Sequence, residues 1–244
     1  MKILAIDTSG KAVSAAVAEN GGLFSNIWLR HGKTHAEALM PCIASALSGP
    51  GLEPRDIGVF AVVAGPGSFT GLRIGASAIK ALAYAHNAMT VGISTLDTLA
   101  QNICFFENVL LCPIMDARNG NVYQAVYASV TADSRINGNQ TYQGFACLAE
   151  AALLSVGDAA HRLRAALEGN PGVDTVIFNG DAAHDYLDFF RGGCGCADCR
   201  VAAEPLLYQN AASAALLACE DAERGRLVPP GRLAPEYLNA GYIK

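Results

Sequence analysis

The most constraining stretch of this sequence is residues 65–75, which read GPGSFTGLRIG. A continuous apolar run at residues 58–64 precedes it, as is typical of a strand buried on both faces. Residues 70–85 follow without proline and with Ala, Leu and Ile at helical spacing. We therefore predict that the glycine-rich loop joins a central strand to a helix, with Ser68 or Thr70 as its N-cap.

Small residues line one side of this predicted helix. Gly71, Gly75 and Ala78 fall on that side, and Leu82 and Ala85 continue it. A face this smooth lets another backbone come close. Two interpretations stay open: the face packs against the chain's own sheet, or it docks a partner.

The glycine-rich loop has the composition of a phosphate-binding turn but not its spacing. Backbone N–H groups at a strand-to-helix turn can bind an anion. The segment matches neither GxGxxG nor the P-loop pattern, no Lys follows it, and Arg73 is the nearby cation. We do not predict a phosphate site here.

Length and charge limit the function classes. The 244 residues allow one large domain or two lobes of about a hundred residues each. The formal net charge is −5 and no Lys/Arg cluster stands out, so any contact with RNA is expected to be indirect. With a strand at the very start and no apolar stretch of membrane-spanning length, we expect a cytoplasmic protein whose eight cysteines are thiols.

The first half of the chain predicts three strands followed by alternating helices and strands. An Asn-Gly-Gly turn at 20–22 is typical of a hairpin between the second and third strands. The predicted strands are 2–7, 13–18, 23–29, 58–64 and 89–93, and the predicted helices are 35–47 and 70–87. This order suits the ribonuclease H-like half of an actin/hexokinase-type fold.

A loop of the first half recurs in the second. Residues 115–122 (MDARNGNV) have the spacing of residues 6–13 (IDTSGKAV), because in both an Asp ends one strand and a Val starts the next. We therefore predict an α/β, two-lobed, actin/hexokinase-like fold built from duplicated ribonuclease H-like halves. The predicted parts are an N-terminal lobe at 1–104 with a helix at 208–226 packing back on it, a C-terminal lobe at 105–207, and a tail at 227–244.

The remainder of the second half is less regular. We expect mostly loop over 128–143, a helix over 148–167, a strand over 175–179 and a helix opened by Gly180 and Asp181. A last helix is predicted over 210–224.

Two carboxylates end the matching strands, Asp7 and Asp116. Such groups can hold Mg²⁺ or orient water, since hard oxygen ligands suit that ion. Alternatively, each side chain caps its own strand-to-loop turn. A metal at His31 and His35 is not predicted, because Gly32 stands where an HExxH motif has its Glu.

Three cysteines crowd the segment GGCGCADC: Cys194, Cys196 and Cys199. Incidental surface thiols are one interpretation. A metal site would need a fourth ligand such as His184. The CxxC spacing of Cys196 and Cys199 also allows a redox pair.

Residues 65–75, together with the opening MKILAIDTS, closely resemble the TsaB (YeaZ) family, accessory proteins of tRNA threonylcarbamoyladenosine synthesis. The resemblance covers about the first 125 residues and is patchy beyond, through NGDA at 179–182 and the Pro-x-Tyr-Leu near the end. Such relatives carry a glycine where Ala182 stands, which puts nucleotide binding in doubt. The nucleotide cleft that the resemblance implies comprises Asp7, Thr8, Ser9, Asp116 and Gly180.

The resemblance also implies that the chain lacks an enzyme's metal. The catalytic paralogue TsaD carries two metal-binding histidines, four apart, at positions that fall here on Thr95 and Leu99. Neither residue supplies an imidazole. We therefore expect no catalysis by the chain alone, no metal and no cofactor of its own, with a nucleotide at a partner interface left open.

What the resemblance implies is a scaffold. TsaB works with TsaD and the ATPase TsaE in threonylcarbamoyl transfer to N6 of adenosine 37, in tRNAs that read codons starting with A. A homodimer of the isolated chain is left open. The alternative function is a small ATP-dependent kinase or phosphohydrolase using Asp7 and Asp116. The predicted partner interface comprises His35, Leu39, Ser68, Phe69, Thr70, Gly71, Arg73, Gly75, Ala78 and Leu82.

Overall fold

The computed structural model describes residues 1–30, 34–129, 141–142 and 144–238. These residues form two compact units. The first unit comprises Met1–Thr98 and Gln209–Tyr237, and the second comprises Leu99–Tyr208 with Leu238. Within the described residues, no helix is long and apolar enough to cross a membrane.

The first unit is built on a five-stranded mixed sheet. Its strands are β1 (Lys2–Asp7), β2 (Val13–Glu19), β3 (Gly22–Leu29), β4 (Val59–Gly65) and β5 (Met89–Ser94), in the order β3-β2-β1-β4-β5. Strands β1, β2 and β3 pair antiparallel, whereas β4 lies parallel to both β1 and β5. Every residue of β4 is buried, as its continuous apolar sequence predicts. The helices are α1 (His35–Ser48), α2 (Phe69–Ala85) and the start of α3 (Thr95–Ile103).

The second unit repeats this pattern. Its strands are β6 (Leu110–Asp116), β7 (Asn121–Ser129), β8 (Thr141–Tyr142), β9 (Phe145–Ser155), β10 (Thr175–Asn179) and β11 (Asp198–Val201), in the order β11-β10-β6-β7-β9-β8. Strand β7 is antiparallel to β6 and β9, whereas β10 is parallel to β6 and β11. The helices are α4 (Val156–Glu168), α5 (Ala183–Gly193) and α6 (Glu204–Leu207).

Each sheet therefore has the same central strand order and the same strand directions. When β8 is left out and the strands of each unit are numbered in chain order, both sheets have the strand order 3-2-1-4-5. Strand β8 lies at one edge of the second sheet. The repeated loop lies at the same place in both, because Asp7 ends β1 and Asp116 ends β6. The predicted fold class, duplicated ribonuclease H-like halves of the actin/hexokinase type, is confirmed.

The last part of the chain belongs to the first unit. Helix α7 (Ala211–Glu223) packs on β1 and β2, and the N–H of Ala211 donates to Ser14 Oγ over 2.9 Å. After it, Val228 pairs with Thr90 of β5, and Leu233 is buried in the core. The backbone N–H of Glu236 then donates to the Ala64 carbonyl over 2.8 Å. Residues 228–236 are therefore packed onto the first unit rather than forming a separate tail. The N-terminal segment of the first unit ends at Thr98, before the predicted boundary at 104.

One predicted helix is partly a strand. Residues 148–155 belong to β9, which pairs along its length with β7, and only from Val156 does the chain become helical. The sequence LAEAALL in this segment is rich in good helix formers. Pairing with a neighbouring strand that the local sequence does not contain outweighs this preference.

The small-residue side of α2 faces inward. A Cβ at Gly71 would collide with the Thr8 carbonyl oxygen, and a Cβ at Gly75 would lie 2.5 Å from Thr8 Oγ1 and 3.1 Å from Val62 Cγ2. Leu39 of α1 is buried in the same core. These three residues cannot form an exposed docking surface, so that part of the predicted interface is wrong. Ala78 and Leu82 are half-buried and pack against the core.

We expect Gly75→Leu to lower the free energy of unfolding by about 3 kcal/mol, because the new side chain overlaps Thr8 and Val62. Urea unfolding followed by circular dichroism measures the change. Ser77→Leu is the matched control, since Ser77 is exposed on the same helix and its replacement should change stability by no more than about 0.5 kcal/mol. Equal stabilities of the two variants would contradict the inward packing.

Candidate functional site

The candidate site of the first unit lies where β1 ends against the glycine-rich loop. The N–H of Ser68 donates to the Ser9 carbonyl over 2.7 Å, and Thr8 Oγ1 donates to the Gly71 carbonyl over 2.8 Å. A Cβ at Gly67 would collide with the same Ser9 carbonyl oxygen. The loop therefore needs glycine for close backbone contact, which places residues 7–9 directly beneath the start of α2.

Asp7 is the buried acid of this site, with 2% of its surface exposed. Its Oδ1 accepts hydrogen bonds from Ser9 N–H and Ser9 Oγ, each over 2.7 Å. Its Oδ2 has no hydrogen-bond partner among the described residues. One carboxylate oxygen is thus held in place and the other is left without a donor.

Burial determines the charge state of this acid. Desolvation raises the pKa of Asp7 from its ordinary value of 3.8 to about 6, although the two hydrogen bonds from Ser9 and the nearby His35 lower it. His35 is half-buried at the start of α1, and its Nε2 lies 2.9 Å from the Gly10 carbonyl oxygen. At neutral pH the Asp7 carboxylate is therefore mostly ionised in a site that favours its neutral form.

The corresponding acid of the second unit makes the same turn in a different environment. Asp116 Oδ1 accepts from Arg118 N–H over 2.8 Å, and its own N–H donates to Asp181 Oδ1 over 3.0 Å. Unlike Asp7, Asp116 is exposed. Each carboxylate accepts a hydrogen bond from the backbone N–H of the residue two positions later in the chain. The interpretation that both aspartates cap their own turns is confirmed.

Gly180 stands beside this second turn. Its φ is +98°, and a Cβ there would collide with the carbonyl oxygen of Ile114 in β6. Its N–H donates to the Leu207 carbonyl over 2.7 Å. The backbone conformation and the close contact with β6 therefore require glycine at position 180. Of the predicted cleft residues, Asp7, Thr8 and Ser9 lie in the first unit, and Asp116 and Gly180 lie in the second.

The two positions at which the resemblance places the paralogue's histidines lie in α3. Thr95 and Leu99 have no exposed surface, and Thr95 Oγ1 has no hydrogen-bond partner among the described residues. Throughout the described part of the chain, no group of three or more His, Cys, Asp or Glu side chains is arranged to hold a metal ion. His31 lies outside the described residues.

An exposed group of aromatic and cationic side chains surrounds the start of α2. The Arg73 guanidinium lies 3.8 Å from the centre of the Phe69 ring, and its Nε donates to the Tyr237 hydroxyl over 3.1 Å. The rings of Phe69 and Tyr237 are 5.3 Å apart. We call these three residues the α2 clasp. Sequence reasoning missed Tyr237, for which the Pro-x-Tyr-Leu pattern was the only signal.

The cysteine segment is not an exposed loop. Cys194 follows the end of α5, Cys199 lies in β11, and both are buried. The interpretation of incidental surface thiols is therefore wrong for these two residues. Strand β11 had no clear signal in the sequence, since its four residues read DCRV.

We expect Asp7→Asn to remove a pH-dependent loss of stability. Because folding raises the pKa of Asp7, the stabilisation from its protonated form is present below pH 3.8 and is lost as the pH rises through about 6. The stability of Asp7→Asn relative to the unchanged protein should therefore rise by about 2.4 kcal/mol between pH 4 and pH 8. Urea titrations across this range measure it, with Asp116→Asn as the matched control because it makes the same hydrogen bond at an exposed carboxylate. A pH-independent difference would contradict the assignment.

Comparison with known proteins identifies the family. The model of the family "TsaD: tRNA N6-adenosine threonylcarbamoyltransferase" matches residues 16–189. The tRNA threonylcarbamoyladenosine biosynthesis protein TsaB of Bacillus subtilis (strain 168) is 37% identical over 127 residues, which cover 52% of this chain and 55% of that protein. TsaB of Escherichia coli (strain K12) is 36% identical over 128 residues, covering 52% and 55%. The chain thus spans about half the length of the curated relatives it matches.

A solved structure has the same fold. The crystal structure of a Pseudomonas aeruginosa protein described as similar to peptidase YEAZ superimposes with a TM-score of 0.77. The two chains are 24% identical, and the superposition covers 98% of this chain and 99% of that one. The chain belongs to the TsaD family, in its TsaB (YeaZ) branch.

Proposed function

We propose that this chain is a non-catalytic scaffold that activates a TsaD-like catalytic paralogue, together with a TsaE-like ATPase, in a cytoplasmic tRNA-modifying system. The reaction is threonylcarbamoyl transfer to N6 of adenosine 37 in tRNAs that read codons starting with A. Support comes from the biosynthetic role named for its curated relatives and from the match to the TsaD family. Contact with tRNA is made through the partner, in keeping with the net charge of −5.

The observation that carries the proposal concerns Thr95 and Leu99. The resemblance places the paralogue's two metal-binding histidines at these positions, where this chain has a hydroxyl and a hydrocarbon, and neither supplies an imidazole. Both side chains are packed in the interior. The chain therefore belongs to the TsaD family but has no imidazole side chain at these two positions, which supports a non-catalytic role.

The α2 clasp, which joins two residues of the predicted interface to Tyr237, is the surface that best suits a partner. Phe69 is 55% exposed and Tyr237 is 43% exposed, so both rings present apolar surface to solvent. Arg73 is held between them by a cation–π contact and a hydrogen bond, which reduces the entropy lost when a partner binds. Arg and Tyr are enriched among the residues that dominate binding energy at interfaces. His35, Ser68 and Thr70 would form the polar surroundings.

Reconstitution tests the function directly. The purified chain is combined with the TsaD and TsaE homologues of the same organism, tRNA and threonylcarbamoyl-adenylate, and modified adenosine is measured by mass spectrometry of digested tRNA. We expect modification only when this chain and the TsaD homologue are both present. Modification of tRNA by this chain alone would overturn the proposal.

We expect Phe69→Ala to weaken binding to the TsaD homologue by more than about tenfold, because it removes the ring on which Arg73 stacks. Titration calorimetry measures the affinity. Phe189→Ala is the matched control, since Phe189 is 51% exposed in the second unit and lies outside the clasp. Equal affinities of the two variants would exclude the clasp from the interface. The same pair, compared by size-exclusion chromatography, tests whether the isolated chain forms a homodimer through this surface.

The alternative is a small ATP-dependent kinase or phosphohydrolase. Its one structural support is the buried Asp7 Oδ2, which has no hydrogen-bond partner among the described residues and could face a hydrated magnesium ion. Titration of the purified chain with Mg-ATP separates the two functions. We expect no submicromolar binding and no hydrolysis. Tight binding with turnover that Asp7→Asn abolishes would favour the enzyme.

A further inference from the structure

The second unit contains a pair of buried thiols in contact. The sulfur atoms of Cys194 and Cys199 lie 3.6 Å apart, and the two residues are 1% and 4% exposed. A third thiol, Cys196, is half-buried and donates to the backbone carbonyl of Asp174 over 3.1 Å. The CxxC spacing singled out Cys196 and Cys199; in the structure the Cys199 side chain contacts both Cys194 and Cys196, and of these two Cys194 is the buried one.

Regular structure holds both members of this pair. The N–H of Cys194 donates to the Phe190 carbonyl over 2.9 Å, which closes the last turn of α5. Cys199 is paired with Val176 in the parallel β10–β11 ladder. Arg191 of α5 also donates from Nη2 to the Cys199 carbonyl oxygen over 3.2 Å, which ties the helix to the strand. The contact between the two sulfur atoms is therefore fixed by the fold.

A cavity gives access to this pair from one side. Its volume is about 400 Å³, and Cys194, Gly195 and Cys196 line it together with Arg164 and Asp174. A space of this size is large enough for a small polar oxidant beside Cys194, which is itself 1% exposed. Cys199 is not among the lining residues and lies behind Cys194.

We propose that Cys194 and Cys199 form a reversible intrachain disulfide when the protein meets a hydroperoxide. The Cys194 thiolate attacks one peroxide oxygen, the O–O bond breaks, and the departing hydroxide takes a proton to become water. The resulting sulfenic acid is attacked at sulfur by Cys199, the S–O bond breaks, and a second water leaves with the thiol proton. Two thiols and one hydrogen peroxide thus give one disulfide and two waters.

The arrangement suits these two roles. Burial raises the pKa of the Cys199 thiol, so this residue stays protonated and acts second, as the resolving thiol. Closing the gap from 3.6 Å to a bond of about 2.05 Å requires side-chain rotation at sulfur atoms already in contact. The bond joins the end of α5 to β11 and so constrains the core of the second unit. A higher thermal unfolding midpoint is the expected consequence.

The test uses the full chain and hydrogen peroxide. After treatment and blocking of free thiols, intact mass spectrometry should show the loss of two hydrogens, about 2 Da, and non-reducing peptide mapping should place the crosslink between Cys194 and Cys199. Dithiothreitol should restore the free thiols and lower the unfolding midpoint to its starting value. The mapping is made on the unchanged protein, so it does not depend on a variant that folds.

Variants then assign the pair. Cys196→Ala is the matched control, because it removes the third thiol of the segment and leaves Cys194 and Cys199 unchanged. This variant should keep the crosslink. Cys194→Ala and Cys199→Ala should each lose it. A crosslink that includes Cys196, an interchain bond, or oxygen added at these thiols without a crosslink would overturn the proposal. The experiment needs neither tRNA nor a partner, so its outcome is independent of the proposed function.

Discussion

The close contact between the glycine-rich loop and the turn after β1 is the constraint on which the first unit depends. Gly67 and Gly71 lie so near the carbonyl oxygens of Ser9 and Thr8 that no side chain fits at either position. The hydrogen bonds from Ser68 N–H and Thr8 Oγ1 lock the two segments together. Because the loop leads directly into α2, this contact fixes where the helix starts and therefore which of its residues face solvent.

Two consequences follow from that contact, and they lie on opposite sides of the loop. Beneath the loop, Asp7 is buried, and this burial raises the pKa of its carboxyl group. Asp7 nevertheless accepts the same turn hydrogen bond as Asp116. Above the loop, Phe69 and Arg73 are held at the surface, where Tyr237 joins them. Asp116 makes the same turn and is exposed. The duplicated halves thus share a backbone geometry and differ in solvation.

The sequence predicts what is local and periodic. Strands β1 to β5 and helices α1 and α2 follow from alternation, apolar runs and turn residues, and the repeated Asp at the end of β1 and β6 predicts the duplication. Features that depend on distant partners could not be predicted. Residues 148–155 have helix-forming composition and become a strand because β7 lies beside them. The small face of α2 is compatible with docking or burial until the position of Thr8 is known, and nothing local joins Tyr237 to Arg73.

The interior of the chain and its surface differ in what they offer to the proposed function. Thr95 and Leu99 are interior residues with no exposed surface, at the two positions where the resemblance places the paralogue's histidines. The scaffold function that we propose depends instead on the exposed surface at the start of α2. A clasp whose cation is already stacked and hydrogen-bonded suits this function, since little of its freedom is left to lose on binding. The glycine-rich loop fixes the start of α2 and so holds Phe69 and Arg73 in the positions from which we propose that they contact a partner.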